Sequence, residues 1–167
     1  MNIKQCINEL YSLKHIIRYN NLPRIQDESV AEHSFFVSLI VARLHTQYKF
    51  NLEKALLTAI VHDISEIWIS DIPRNITIEF PKLKNLISDI EDNVVIEKFP
   101  EYFTLITEFN NASTVEGIIV KYADVLSILQ YAKNEVLLGS NYYMPTVIKE
   151  AEKEIKKYEK KLKKYRR

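Results

Sequence analysis

Turn-forming residues are scarce in this chain, which has 2 glycines and 5 prolines in 167 residues. A β-sandwich or barrel needs a tight turn about every 8–12 residues, so the shortage favours a helical globule. Cysteine is nearly absent as well. With Cys6 alone there is no internal disulfide framework, and nothing points to secretion. The opening Met-Asn-Ile-Lys-Gln-Cys lacks the apolar run of a signal peptide. Long hydrophobic runs are missing too: the stretch 35–42 is too short to span a bilayer and contains Ser38. No internal repeat or low-complexity linker interrupts the chain. The expectation is one cytoplasmic domain over 1–167, with no membrane partner.

What is present is apolar content and unevenly placed charge. Hydrophobic residues make up 47%, enough for one sizeable core. From Lys149 to Arg167 there are 10 basic and 4 acidic residues, a net +6, and the remainder is −5, consistent with the total of +1. A basic tail can attract nucleic acid. Against that, Ile148, Ala151, Ile155, Tyr158, Leu162 and Tyr165 recur at alternating steps of three and four. That spacing lays one apolar stripe on a core or a partner helix, and packing is the preferred reading over nucleic-acid binding.

The patterning predicts six to seven helices. The first covers about 3–17, with Cys6, Ile7, Leu10, Leu13 and Ile17 on its apolar side. The second opens at Ser29-Val30-Ala31-Glu32, a capping box, and runs to about Tyr48. Asn51 caps a third that runs to His62 and Asp63. Residues 72–81 read as a loop between Ile72-Pro73 and Phe80-Pro81. A fourth helix covers about 82–99 and a short fifth follows Pro100. The sixth starts at a second capping box, Ser113-Thr114-Val115-Glu116, and stops at Gly139. A basic amphipathic helix at about 146–165 closes the chain.

Several polar residues sit in otherwise apolar helical stretches. His33 shares a stripe with Val37, Ile40 and Leu44, where a lone histidine is more often a satisfied core residue than a ligand. His62 and Asp63 project about 100° apart on a helix and can both reach one ion above its edge. Alternatively they end a helix and face water. Asp124 lies mid-helix in Val120-Lys121-Tyr122-Ala123-Asp124-Val125, where a buried aspartate needs a partner and Lys121 is one turn away. Taken together, the two imidazoles and two carboxylates form an N2O2 set suited to one first-row divalent ion: Mn, Fe, Co, Ni or Zn. Glu66 follows His62 by four residues, so on a continuous helix it stands about 5.4 Å along the same face, placed to hold or deprotonate a water. Asp71, before Ile72-Pro73, reads as a turn former, and Arg18 as a surface charge at a helix exit.

The ordered segments Arg18-Tyr19, Glu28-Ser29-Val30-Ala31-Glu32-His33-Ser34, His62-Asp63-Ile64-Ser65-Glu66, Ser70-Asp71-Ile72-Pro73 and Lys121-Tyr122-Ala123-Asp124 resemble the HD-domain superfamily of metal-dependent phosphohydrolases. Within it they resemble the YfbR-type 5′-deoxynucleotidases. The resemblance implies an all-α HD-domain helical bundle with its metal-site core at about 18–139. It implies hydrolysis of 2′-deoxyribonucleoside 5′-monophosphates to deoxynucleoside and phosphate, and a homodimer. By the same match His33, His62, Asp63 and Asp124 bind the metal, Glu66 positions the attacking water, Asp71 acts near the leaving 5′-oxygen, and Arg18 orients the phosphate. A two-metal site needs further histidines, and only His15 and His45 remain, so one ion is expected. The chain departs from the family at three points. Tyr19 replaces a usual tryptophan next to the nucleotide, Ser70 replaces a usual glycine, and Arg74 replaces a threonine and offers a further phosphate contact. Competing readings are another HD phosphohydrolase, acting on a cyclic nucleotide, a nucleoside triphosphate or an alarmone, and a non-catalytic helical interaction module.

Overall fold

A computed structural model describes residues 3–167 and shows helices throughout them, with two isolated β-bridges. The helices are α1 (Ile3–Tyr11), α2 (Val30–Leu44), α3 (Leu52–Val61), α4 (Glu66–Ile69), α5 (Arg74–Glu79), α6 (Pro81–Lys98), α7 (Phe103–Asn111), α8 (Val115–Leu138) and α9 (Met144–Leu162). Among the described residues no helix is long and apolar enough to cross a membrane.

Local chemistry sets the boundaries. Ser29 caps α2 with its hydroxyl accepting from Glu32 N–H, while Glu32 accepts from Ser29 N–H, so the expected capping box is complete. Asn51 caps α3 by accepting from Lys54 N–H. Gly139 ends α8 at φ 110°, a left-handed position that glycine adopts without a Cβ penalty.

The second expected capping box is not formed. Thr114, not Ser113, caps α8 through Gly117 N–H, and Glu116 instead accepts from Asn51 N–H at 2.8 Å. That carboxylate staples the start of α8 to the start of α3. The first two helices are also shorter than their periodicity suggested. Residues 12–14 tighten into a 3₁₀ turn, α2 ends at Leu44, and Ile7 is exposed. The 72–81 loop contains α5, because Pro73 and Pro81 both serve as helix-initiating residues rather than breakers.

Helices α2, α3, α8 and α9 enclose the main core around Val37, Val41, Ala59, Ile119, Val120 and Leu162. Each such aliphatic side chain, fully buried, contributes about 1.5–3 kcal/mol. Alanines at 55, 59 and 123 are wholly buried and let the helices approach closely. Gly117 does the same for α7 and α8, since a Cβ there would lie 2.5 Å from the Glu108 carbonyl oxygen. The tail stripe behaves as packing: Ala151, Tyr158 and Leu162 are buried, and Ile148, Ile155 and Tyr165 half-buried. Its basic residues therefore occupy the outer side of α9.

Candidate functional site

Four elements bring the expected polar residues to one place. His33 sits in the first turn of α2, directly after the Ser29 cap. His62 is the C-cap of α3, and Asp63 belongs to the turn that follows. Asp124 comes from the middle of α8. His33 Nε2 lies 3.1 Å from Asp124 Oδ1 and 3.9 Å from Asp63 Oδ2, and His62 Nε2 lies 3.1 Å from Asp63 Oδ2. Ligand atoms of His33, His62 and Asp124 fall within 4.8 Å of one another. The alternative pairing of Lys121 with Asp124 is not made. Lys121 Nζ instead stands 4.1 Å from the centre of the Phe109 ring.

The imidazoles are not satisfied by these neighbours. His33 is 0% exposed, yet among the described residues neither of its nitrogens makes a hydrogen bond of proper geometry, and His62 Nε2 is orphaned likewise. His62 Nδ1 lies 2.8 Å from the Ala59 carbonyl, which can only accept, so Nδ1 carries a proton. Burial lowers the His62 pKa but Asp63 and its neighbours raise it overall, so the positive charge that Nε2 and the Asp63 carboxylate share is a proton or an ion. Lone pairs facing a carboxylate at 3.1 Å repel unless a positive charge stands between them. The donor set and its orphaned buried nitrogens therefore fit a cation.

Electrostatics agree with that fit. Burial, followed by the Arg18 charge, pushes His33 down to about 4, which keeps it neutral at physiological pH. Burial raises Asp63 and Asp124, but the surrounding imidazoles, with Arg18 as well for Asp63, together outweigh it and hold both below the usual carboxylate range. Neutral imidazole and ionised carboxylate are the forms that bind metals.

Glu66 reaches this cluster by a different route from the one its spacing suggested. α3 stops at Val61, residues 62–65 form a turn, and Glu66 opens α4. Its Oε2 is buried and unpaired among the described residues. Burial, then Asp63 and Asp71, pushes its carboxyl well above the ordinary range.

Beside the cluster opens a cavity whose lining includes Arg18, Tyr19, Asp71, Arg74, Tyr143 and Glu150. Arg18 is buried, not a surface charge, and its Nη1 donates to Glu28 Oε2 at 3.1 Å. Tyr19 adopts φ 55°, stacks on Tyr131 at 5.5 Å, and donates its backbone N–H to Asp71 Oδ2 at 2.8 Å. Asp71 is thus more than a turn former, and burial raises its pKa. Ser70, just before it, takes φ 65° and ψ 168°, a conformation that favours glycine. Arg74 faces Glu150 and Glu154 of α9 at 3.9 and 4.0 Å and is mostly exposed. Sequence reasoning passed over Glu28 and Glu135. Glu28 appeared only inside a motif string. Glu135, in an ordinary charged helical context, carried no signal at all.

Comparison with known proteins follows the same lines. The family described as 5′-deoxynucleotidase YfbR-like matches residues 5–165. A 5′-deoxynucleotidase from Erwinia tasmaniensis is 30% identical over 153 residues, covering 81% of this chain and 75% of that protein. An HD-domain phosphohydrolase from Listeria innocua superposes with a TM-score of 0.80 at 27% identity, covering 96% of this chain and 82% of the other. The cyanophage S-2L HD phosphohydrolase DatZ, bound to dA and one catalytic Zn2+, shares the fold at a TM-score of 0.60 and 20% identity, over 90% and 96% of the two chains. The chain is a hydrolase with the all-α HD-domain fold and belongs to the YfbR-like 5′-deoxynucleotidase family.

Proposed function

We propose that this protein hydrolyses 2′-deoxyribonucleoside 5′-monophosphates to deoxynucleoside and phosphate, using one divalent metal held by His33, His62, Asp63 and Asp124. The observation that carries this reading is the pair of orphaned, buried imidazole nitrogens facing two carboxylates at the edge of a cavity that holds Arg18 and Asp71.

An ion held by His33, His62, Asp63 and Asp124 would supply Lewis acidity toward the phosphoryl group and ease deprotonation of a water. The remaining steps belong to side chains. Arg18 gives one nitrogen to Glu28 and keeps its other donors for phosphate oxygens, for which a planar fork is well shaped. Glu66, with a free buried oxygen and a carboxyl pushed well above the ordinary range, holds the attacking water and takes its proton once a cation offsets the Asp63 charge. Asp71 has one oxygen held by Tyr19 N–H and the other available. Its raised pKa favours a protonated form that can deliver a proton to the departing 5′-oxygen, a poor leaving group as an alkoxide. Arg74 adds a phosphate contact only by swinging away from Glu150 and Glu154.

We also propose a cytoplasmic homodimer. The tail stripe is consumed inside the fold, and of the apolar side chains left exposed on several helices we assign the contact to the group on the adjacent α2 and α3: Phe35, Phe36, Leu39, Leu57 and Ile60. Sedimentation of the wild type against Leu39→Glu tests this, and equal monomeric mass for both removes the dimer.

The function is tested by phosphate release from dAMP and AMP with metal-stripped protein, returning Mn, Co, Zn, Ni and Mg singly. Metal-dependent release favouring dAMP is expected. Equal use of both substrates removes the sugar selectivity. No release with any ion rejects the phosphomonoesterase reading and turns the assay to cyclic nucleotides and triphosphates.

A further inference from the structure

Glu28 is a buried acid with two cationic or protonated neighbours and no role in the chemistry described above. Its side chain is 11% exposed, Arg18 is 9% exposed, and His33 is fully enclosed. A single oxygen, Oε2, lies 3.1 Å from Arg18 Nη1 and 4.0 Å from His33 Nδ1. The backbone fixes this arrangement independently. Arg18 N–H donates to Glu28 O at 2.9 Å, Val30 N–H donates to Ile16 O at 2.9 Å, and Ile17 bridges Ser29 in antiparallel fashion. Residues 16–18 are therefore strapped to 28–30, and the strap ends at the capped first turn of α2, which carries His33.

The two neighbours face opposite tasks. If His33 Nε2 ligates an ion, its proton must sit on Nδ1, which is buried and has no hydrogen-bond partner among the described residues. The carboxylate oxygen near Nδ1 is Glu28 Oε2, one small side-chain adjustment from hydrogen-bond range. A carboxylate behind a ligating imidazole fixes its tautomer and raises its basicity. The same oxygen takes one donor of Arg18 and leaves the rest of the fork facing the cavity.

We infer that Glu28 is a positioning residue that couples the two halves of the site, holding His33 as a metal ligand and Arg18 as a phosphate clamp through one carboxylate oxygen. This rests on the proposed metal-dependent function. It goes beyond it in assigning a role to a residue that touches neither ion nor substrate. The arm length matters. Aspartate is one methylene shorter, so it can keep the nearer contact to Arg18 Nη1 but cannot reach the more distant His33 Nδ1. Glutamine keeps the length but has no charge, so its oxygen accepts more weakly from both neighbours.

The test is Co2+ affinity by chelator competition, with the visible spectrum of bound Co2+, alongside KM and kcat for dAMP in wild type, Glu28→Gln and Glu28→Asp. Glu28→Gln should weaken Co2+ binding by roughly 10–100-fold and raise KM by about tenfold, with an altered Co2+ spectrum. Glu28→Asp should lose Co2+ affinity comparably while KM at saturating metal stays within about threefold of wild type. Melting curves establish that each variant is folded, and Glu28→Asp carries the test should Glu28→Gln not fold. Folded variants with wild-type Co2+ affinity and KM overturn the role of Glu28. Wild-type protein that binds Co2+ but releases no phosphate defeats the catalytic reading, and the affinity comparison still decides for or against Glu28. Wild-type protein that binds no Co2+ overturns both.

Discussion

Helix α8 carries two acids set into the bundle, Glu135 fully buried and Asp124 with its side chain 21% exposed, and they differ most in what faces them. Glu135, near the C-terminal end, is 0% exposed and accepts from Ile25 N–H at 2.6 Å and Gln26 N–H at 2.8 Å. Asp124, three turns earlier, faces the His33 ring at 3.1 Å beside a second imidazole and a second carboxylate, with nitrogens left orphaned. The first is a staple holding the 20–28 loop against the bundle. The second belongs to a cluster whose nitrogens are left without hydrogen-bond partners among the described residues, a donor set that could hold a cation. Burial of a charge is therefore no mark of function by itself. What separates the two is whether the neighbours' hydrogen-bonding capacity is used up.

The contrast breaks most visibly at Asp124. Asp124→Ala should abolish stoichiometric metal and lower phosphate release by roughly 10³-fold or more, on the scale at which an activating metal acts. The melting temperature of the metal-free protein should move less than it does on losing Glu135. Metal analysis with calorimetry checks both halves, and retained metal with retained turnover would remove Asp124 from the site.

Glu135→Ala should do the reverse. It leaves two backbone donors without their acceptor and an emptied buried position, at a cost of about 2–4 kcal/mol, or about 5–10 °C in a chain of this size. An unchanged melting temperature would mean that the loop is held by other contacts.

A third acid sharpens the comparison through pH. Burial, then Asp63 and Asp92, pushes Glu91 up to about 7. Its folded pKa lies above the unfolded one, so the folded state holds the proton more tightly. Stability then falls as pH rises from about 4.5 to 7, and the full penalty stands above 7. In metal-free protein Glu91→Gln should raise stability by about 1–2 kcal/mol at pH 8 and hardly at all below pH 4.5, a figure discounted for its partial exposure. A metal that neutralises Asp63 should shrink that gap, and a pH-independent difference would reject the shifted carboxyl.

The smallest effect is again a gain in stability. Ser70 holds a backbone conformation suited to glycine, worth about 1–3 kcal/mol of strain, against about 0.5–1 kcal/mol for glycine's greater unfolded freedom. Ser70→Gly should therefore raise the melting temperature by about 2–4 °C. A decrease would mean that the Ser70 backbone is not strained.

The sequence alone determined the helical class, because apolar spacing and caps are local properties that survive without tertiary knowledge. Ser29, Asn51 and Gly139 act where their chemistry places them. It also picked out His33, His62, Asp63 and Asp124, which the fold brings together, since polar groups set into apolar segments demand partners. Only the tertiary structure decided which competitor won for each polar group. Lys121 could have paired with Asp124 one turn away but turned to Phe109, and Glu116 could have closed its own capping box but reached across to Asn51. Pro73 and Pro81 could have marked a loop but started helices, and Glu66 came to the cluster around a turn instead of along a helix face. Local rules give each side chain a set of partners of nearly equal energy. Selection within that set depends on which partners from distant segments arrive at hydrogen-bond range, and that is a property of the packed bundle.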